Sequence, residues 1–178
     1  TGISVGGLPD GIVDDGTLAT DSVTAAKLKD DAIAVGDLPA GSVLQVVQVT
    51  NTNTANGGFL LTTTSASWRA ASLSAAITPS STSSKILVQL NISVHHSDHA
   101  SYTIYADASN IGGSTYGLSR LTSDGTDWIG QFATILHSPS TTSSITYQLY
   151  GRSESSGTFY IGGDSDVVNS ITLMEIAG

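Results

Sequence analysis

Cysteine is absent from the 178 residues, which excludes disulfides and thiolate metal centres and leaves the redox compartment unmarked. Basic side chains are scarce: six Lys and Arg stand against fifteen Asp and Glu, for a net charge of −9. Phosphate binding needs clustered cations, and no two basic residues are adjacent here, so nucleic acid is not an expected partner. Charged residues together make up 12%, about half the usual share. No apolar run nears the roughly 18 residues of a bilayer-spanning helix, so membrane insertion is not expected, and no secretory leader is visible. The chain opens on Thr1 and its one methionine is Met174, which reads as a piece of a longer or processed protein. What is plentiful is Ser, Thr and Gly, the last at 19 residues. That mixture weakens helices and suits pleated strands and turns.

The first forty residues repeat with a period of ten. Leu8, Leu18, Leu28 and Leu38 form one column, and Ile3, Val13, Val23, Ile33 and Val43 form another. Gly6, Gly16, Ala26 and Gly36 make a third, small column. Apolar residues five apart fit neither a helical stripe nor strand alternation, and the glycines argue against a coiled coil. A short helical turn over Val23–Lys29 remains compatible with the pattern. LPDG (Leu8–Gly11) and LPAG (Leu38–Gly41) read as type I turns. One apolar residue in five cannot offset about 1–2 kcal/mol of backbone entropy per ordered residue. Residues 1–42 are therefore expected to wind with other copies into an intertwined stalk, with Ile3, Leu8, Val13, Leu18, Val23, Leu28, Ile33 and Leu38 as its shared core. The alternative is a flexible linker.

From residue 43 the period changes to two. The clearest strand is Lys85–Val94, where Ile86, Val88, Leu90, Ile92 and Val94 alternate with Leu87, Gln89, Asn91 and Ser93. Further strands are expected at 43–50, within 59–77 around Trp68, and at 102–106, 128–136, 144–150, 158–161 and 170–176. TPSSTSS (Thr78–Ser84) and SPSTTSS (Ser138–Ser144) lie sixty residues apart and read as equivalent corners. About eight short strands with turn-rich joins predict an all-β, antiparallel β-sandwich of jelly-roll type over residues 43–178.

Four stretches carry a resemblance: DSVTAAKLKDDAIAVGDLPAGSVLQVVQV, ITPSSTSSKILVQL, SPSTTSSITYQLYGRS and the terminal SITLMEIAG. In this order, and over nearly the whole chain, they resemble the C-terminal part of bacteriophage tail fibre proteins of the kind carried by phages of marine and freshwater bacteria. The resemblance implies a homotrimer in the virion, attached to other tail or baseplate proteins, with a head that meets a host cell-surface glycan or protein. Two rivals stand beside it: a purely structural fibre tip or spacer, and a carbohydrate module of a depolymerase. Residues 95–127 match no motif, so no receptor is implied.

Strand phase sends His95 outward and His96 inward, so no metal is assigned to the dense group His95, His96, Asp98 and His99, with a site shared between copies on a trimer axis as the alternative. No cofactor is expected. Two stretches without scaffold alternation, His95–Ser101 and Ala108–Asp127, hold the receptor-contact candidates His95, His96, His99, Tyr116, Arg120 and Asp124. Tyr102, Tyr105, Tyr116 and Trp128 are candidates for stacking on sugar rings. GISVG (Gly2–Gly6) matches a nucleophile-elbow pattern by letter but lacks its strand and helix. Asp124, Asp127, Asp164 and Asp166 do not follow a calcium loop. A carbohydrate hydrolase needs two carboxyl groups across a cleft. The only glutamates are Glu154 and Glu175, and Glu175 falls in a predicted strand, so no catalytic residue is assigned.

Overall fold

Alternation in the sequence is alternation in space. The computed structural model describes residues 20, 23–24, 28, 33–51, 59–122, 127–163 and 167–178. The chain divides into two units, Thr1–Leu38 and Pro39–Gly178. In the first, Val35–Asp37 forms a 3-10 turn. The Asp37 carboxylate accepts the Ala34 amide at 2.8 Å and so caps it.

The second unit holds eleven strands: β1 Val43–Asn51, β2 Leu61–Thr63, β3 Arg69–Ile77, β4 Lys85–His96, β5 Ala100–Ala106, β6 Ser109–Asn110, β7 Ser119–Leu121, β8 Ile129–His137, β9 Ile145–Ser153, β10 Phe159–Ile161 and β11 Asn169–Ile176. They form two antiparallel sheets packed as a β-sandwich. Sheet A runs β1-β11-β4-β10-β2 with β8 on β4, and sheet B runs β3-β9-β5-β6 with β7 on β5. The even-numbered residues of β4 from Ile86 to Val94 are 2% exposed or less. With Ile171, Leu173, Phe159 and Ile161 they meet Leu73, Tyr102, Ile104, Tyr147 and Leu149 from sheet B. Each such side chain contributes about 1.5–3 kcal/mol on burial.

Two strands of sheet A are interrupted. β8 lines one edge of β4 from Ile86 to Val94, so β10 and β11 share the other edge, end to end. β2 and β1 lie outside them in the same way. In the gap, Asn169 Oδ1 accepts the Ser93 amide and Gly162 donates its amide to the Ser93 carbonyl, both at 2.8 Å. The buried backbone of β4 is thus satisfied without a strand beside it.

The two Ser/Thr corners carry the chain between sheets, 78–84 from β3 to β4 and 138–144 from β8 to β9. Glu175 pins the first. Its carboxylate accepts the Ser80 amide at 2.7 Å, the Ser80 hydroxyl at 2.6 Å and the Gln45 amide at 2.6 Å. Burial pushes this carboxyl up, but the bonds from Ser80 and Gln45 outweigh it and hold it below its ordinary value. One turn differs from the sequence expectation. Ser42 N donates to Pro39 O, and Gly41 has φ 89°. The turn therefore begins at Pro39, with glycine third as in type II, because only glycine takes that φ without strain.

Candidate functional site

The outward face of sheet A is organised in cross-strand rows. Nearest Val43, Leu136, Leu87, Met174 and Val46 form an apolar row across β8, β4, β11 and β1. The next row is Thr134, Gln89, Thr172 and Gln48, and the one after is Phe132, Asn91, Ser170 and Thr50. At the far end, His95, Tyr160 and Thr62 stand in register across β4, β10 and β2.

Four rings meet at that far end. Phe59 precedes β2, His95 ends the outward row of β4, Trp128 precedes β8 and Tyr160 is the middle of β10. Their centroids close a quadrilateral: Phe59–Trp128 5.8 Å, Trp128–His95 5.4 Å, His95–Tyr160 5.4 Å and Tyr160–Phe59 5.1 Å. Phe59 and Trp128 are nearly parallel, at 22°. A Cβ at Gly163 would sit 3.3 Å from the Trp128 ring, so the indole lies against bare backbone. The four rings line a shallow, open depression of about 330 Å³. Trp128 keeps 43% of its surface exposed. The other three ring contacts are tilted by 41–54°, so the rings wall a concave site, and they bring one indole, one phenol and one imidazole to it, groups that pack on an apolar face and can hydrogen-bond hydroxyls.

The predicted site residues are dispersed. His95 and Trp128 come together in this depression. His96 is 1% exposed, with Nδ1 2.5 Å from the Asp98 carbonyl oxygen. It is an interior residue of β4 and not a receptor contact, because its strand phase turns it into the sandwich. His99 Nδ1 lies 2.6 Å from Asp98 Oδ1 at the β4–β5 turn. Tyr116 and Arg120 lie together on the outer side of sheet B, the guanidinium 4.5 Å over the ring. There Arg120, Ser101 and Arg152 align across β7, β5 and β9. Glu154 sits on that row, accepting Arg120 Nε at 2.7 Å and the Ser101 hydroxyl. Burial raises the Glu154 carboxyl, and the bonds from Ser101 and Arg120 bring it below its ordinary value. Tyr102 is core and Tyr105 stacks on Tyr150 at 4.1 Å.

Among the described residues, no three His, Cys, Asp or Glu side chains gather as metal ligands. Asp124 and the stalk positions Ile3, Leu8, Val13 and Leu18 lie outside the described residues. Val23, Leu28, Ile33 and Leu38 are 39–56% exposed.

Phe59 and Tyr160 were not among the sequence candidates. For Tyr160 a signal exists: Phe159 and Ile161 face the core, so alternation turns the tyrosine outward. Nothing local marks Phe59. The chain matches no protein-family model and no curated protein.

Proposed function

We propose that this chain is the C-terminal part of a bacteriophage tail fibre, located in the virion, and that its head binds a host cell-surface glycan. The observation that carries the reading is the aromatic depression of Phe59, His95, Trp128 and Tyr160. Trp128 is exposed there beside three half-buried rings, and the apolar faces of pyranose rings would pack on such a group. The strand order supports the jelly-roll reading. β1/β2, β10/β11, β4 and β8 form one sheet, and β3, β9, β5 and β6/β7 the other, the two-sheet arrangement also used by viral capsid and lectin domains. A binding module rather than an enzyme is favoured by the two glutamates: Glu154 is held by Arg120 and Ser101 and Glu175 by Ser80 and Gln45, away from the depression. The chain acts as a homotrimer joined to other tail or baseplate proteins, and three weak sites on one tip gain ~10²–10⁴ in avidity.

The test is competition. Full-length wild-type protein, added in excess, is expected to block adsorption of the phage to its host, and Trp128→Ala is expected to lose that block while keeping a cooperative melting transition and the wild-type sedimentation coefficient. Failure of the wild type both to block adsorption and to bind any sugar on a glycan array overturns the reading.

A further inference from the structure

The aromatic depression is one end of a longer surface. Phe132 lies on the same outward face, four residues along the chain from Trp128, and is 66% exposed. At about 3.3 Å per residue the two positions are about 13 Å apart along the backbone, roughly the span of two or three hexose units. Scattered exposed hydrophobics need no explanation, but a phenylalanine this exposed, in phase with an aromatic site on one sheet, makes a second stacking point.

The positions around Phe132 have one chemistry. Asn91, Ser170 and Thr50 share its row, and Thr134, Gln89, Thr172 and Gln48 fill the next. All are amides or hydroxyls, able to donate and accept. Gln48 Nε2 already donates to Thr172 Oγ1 at 2.8 Å, a cross-strand pair within the row. No ionisable side chain stands in either row. A cation shares this face: Lys85, at the start of β4 beyond the apolar row, four residues from Gln89 and six from Asn91, while Arg120 and Arg152 belong to the opposite sheet. In a chain of net charge −9, a single lysine at one end offers an anionic glycan little counter-charge along the two polar rows and an unfavourable overall field.

We infer that the outward face of sheet A binds a linear, uncharged hexose polymer along its length, one ring stacked on Trp128 and another on Phe132. The inference rests on the glycan-binding reading and narrows it to an internal segment of a neutral chain rather than a single terminal sugar.

The experiment uses the full chain on an array of defined linear gluco-, galacto- and manno-oligosaccharides of one to six units, with oligogalacturonides and sialylated glycans as anionic probes. Binding is expected to a neutral series, and its affinity should rise about tenfold between two and four units as the second stacking contact is reached, then level off. Phe132→Ala should abolish that rise and leave disaccharide binding and the sedimentation coefficient unchanged, whereas Trp128→Ala should abolish binding at every length. Affinity independent of length, a preference for the anionic probes, or a Phe132→Ala protein with wild-type tetrasaccharide affinity overturns the track and leaves a glycan site standing. If Phe132→Ala instead splits the assembly, Phe132 is a contact between copies and the track is wrong. Binding of the wild type to no sugar overturns the track together with the reading beneath it.

Discussion

A glutamate buried at the end of an apolar strand is costly unless its oxygens are occupied, and Glu175 has three donors on them. It ties β11 to the β3–β4 corner and to β1. Replacing it with Gln keeps the shape but turns charge-assisted bonds into ordinary ones and sets a donor against the Ser80 amide. Glu175→Gln is expected to cost about 1–3 kcal/mol at pH 7, read from the denaturant midpoint. The pH dependence has a definite sign. The folded carboxyl lies below its ordinary 4.5, so its stabilisation is complete above that pH and is lost as pH falls through the folded value. The gap between wild type and variant should therefore close in acid. A gap as wide at pH 2 as at pH 7 would mean that charge plays no part.

Interrupted strands are the feature of this sandwich that most depends on single side chains. Between β10 and β11, Asn169 stands in for a missing strand by accepting the Ser93 amide. Asn169→Ala leaves that buried N–H without an acceptor and is expected to cost about 1–3 kcal/mol. Asn169→Asp keeps the acceptor but buries a carboxylate at a site 1% exposed and removes the donor to the Val167 carbonyl, so at pH 7 it should cost at least as much. Amide exchange gives a local check: the Ser93 N–H should lose protection selectively in the alanine variant, before the rest of β4. Uniform protection along β4 in that variant would show that another group replaces the asparagine. The same gap leads into Gly163, against which Trp128 rests, so the interruption also shapes the aromatic site.

As a whole, the molecule has Val23, Leu28, Ile33 and Leu38 exposed when only one chain is considered. The proposed trimer accounts for these residues, from two apolar columns of period ten, as a surface that other copies cover. Three copies are expected in sedimentation of the full chain. Leu28→Asp would set three carboxylates around one axis, each costing several kcal/mol if buried unpaired, and should dissociate the assembly or lower its melting temperature by many degrees. A well-folded monomer at micromolar concentration, or a Leu28→Asp protein that assembles and melts as wild type, would assign the repeat to a solvated linker.

How much of this could be read in the sequence follows from how local each feature is. Side-chain direction in a strand repeats every two residues, so the inward run Ile86–Val94, the outward His95 and the inward His96 were all contained in the letters of β4. The two Ser/Thr corners were legible for the same reason, as local breaks in alternation. β1 was less so. Its Val46 and Val47 are adjacent, and the register shift between Val43 and Gln45, which sets the strand's phase, has no local mark. Nothing in the letters of β9 explains a glycine at position 151. Only the packed sandwich shows that a Cβ there would come within 2.9 Å of Leu61, Phe159 and Ile161. The aromatic site is the extreme case, because its rings come from residues 59, 95, 128 and 160, and no single segment holds two of them. Alternation is a property of one strand and is written in sequence. The meeting of four segments depends on the order of strands within the sheet and on the register between them, and those are decided by which buried faces pack best in three dimensions.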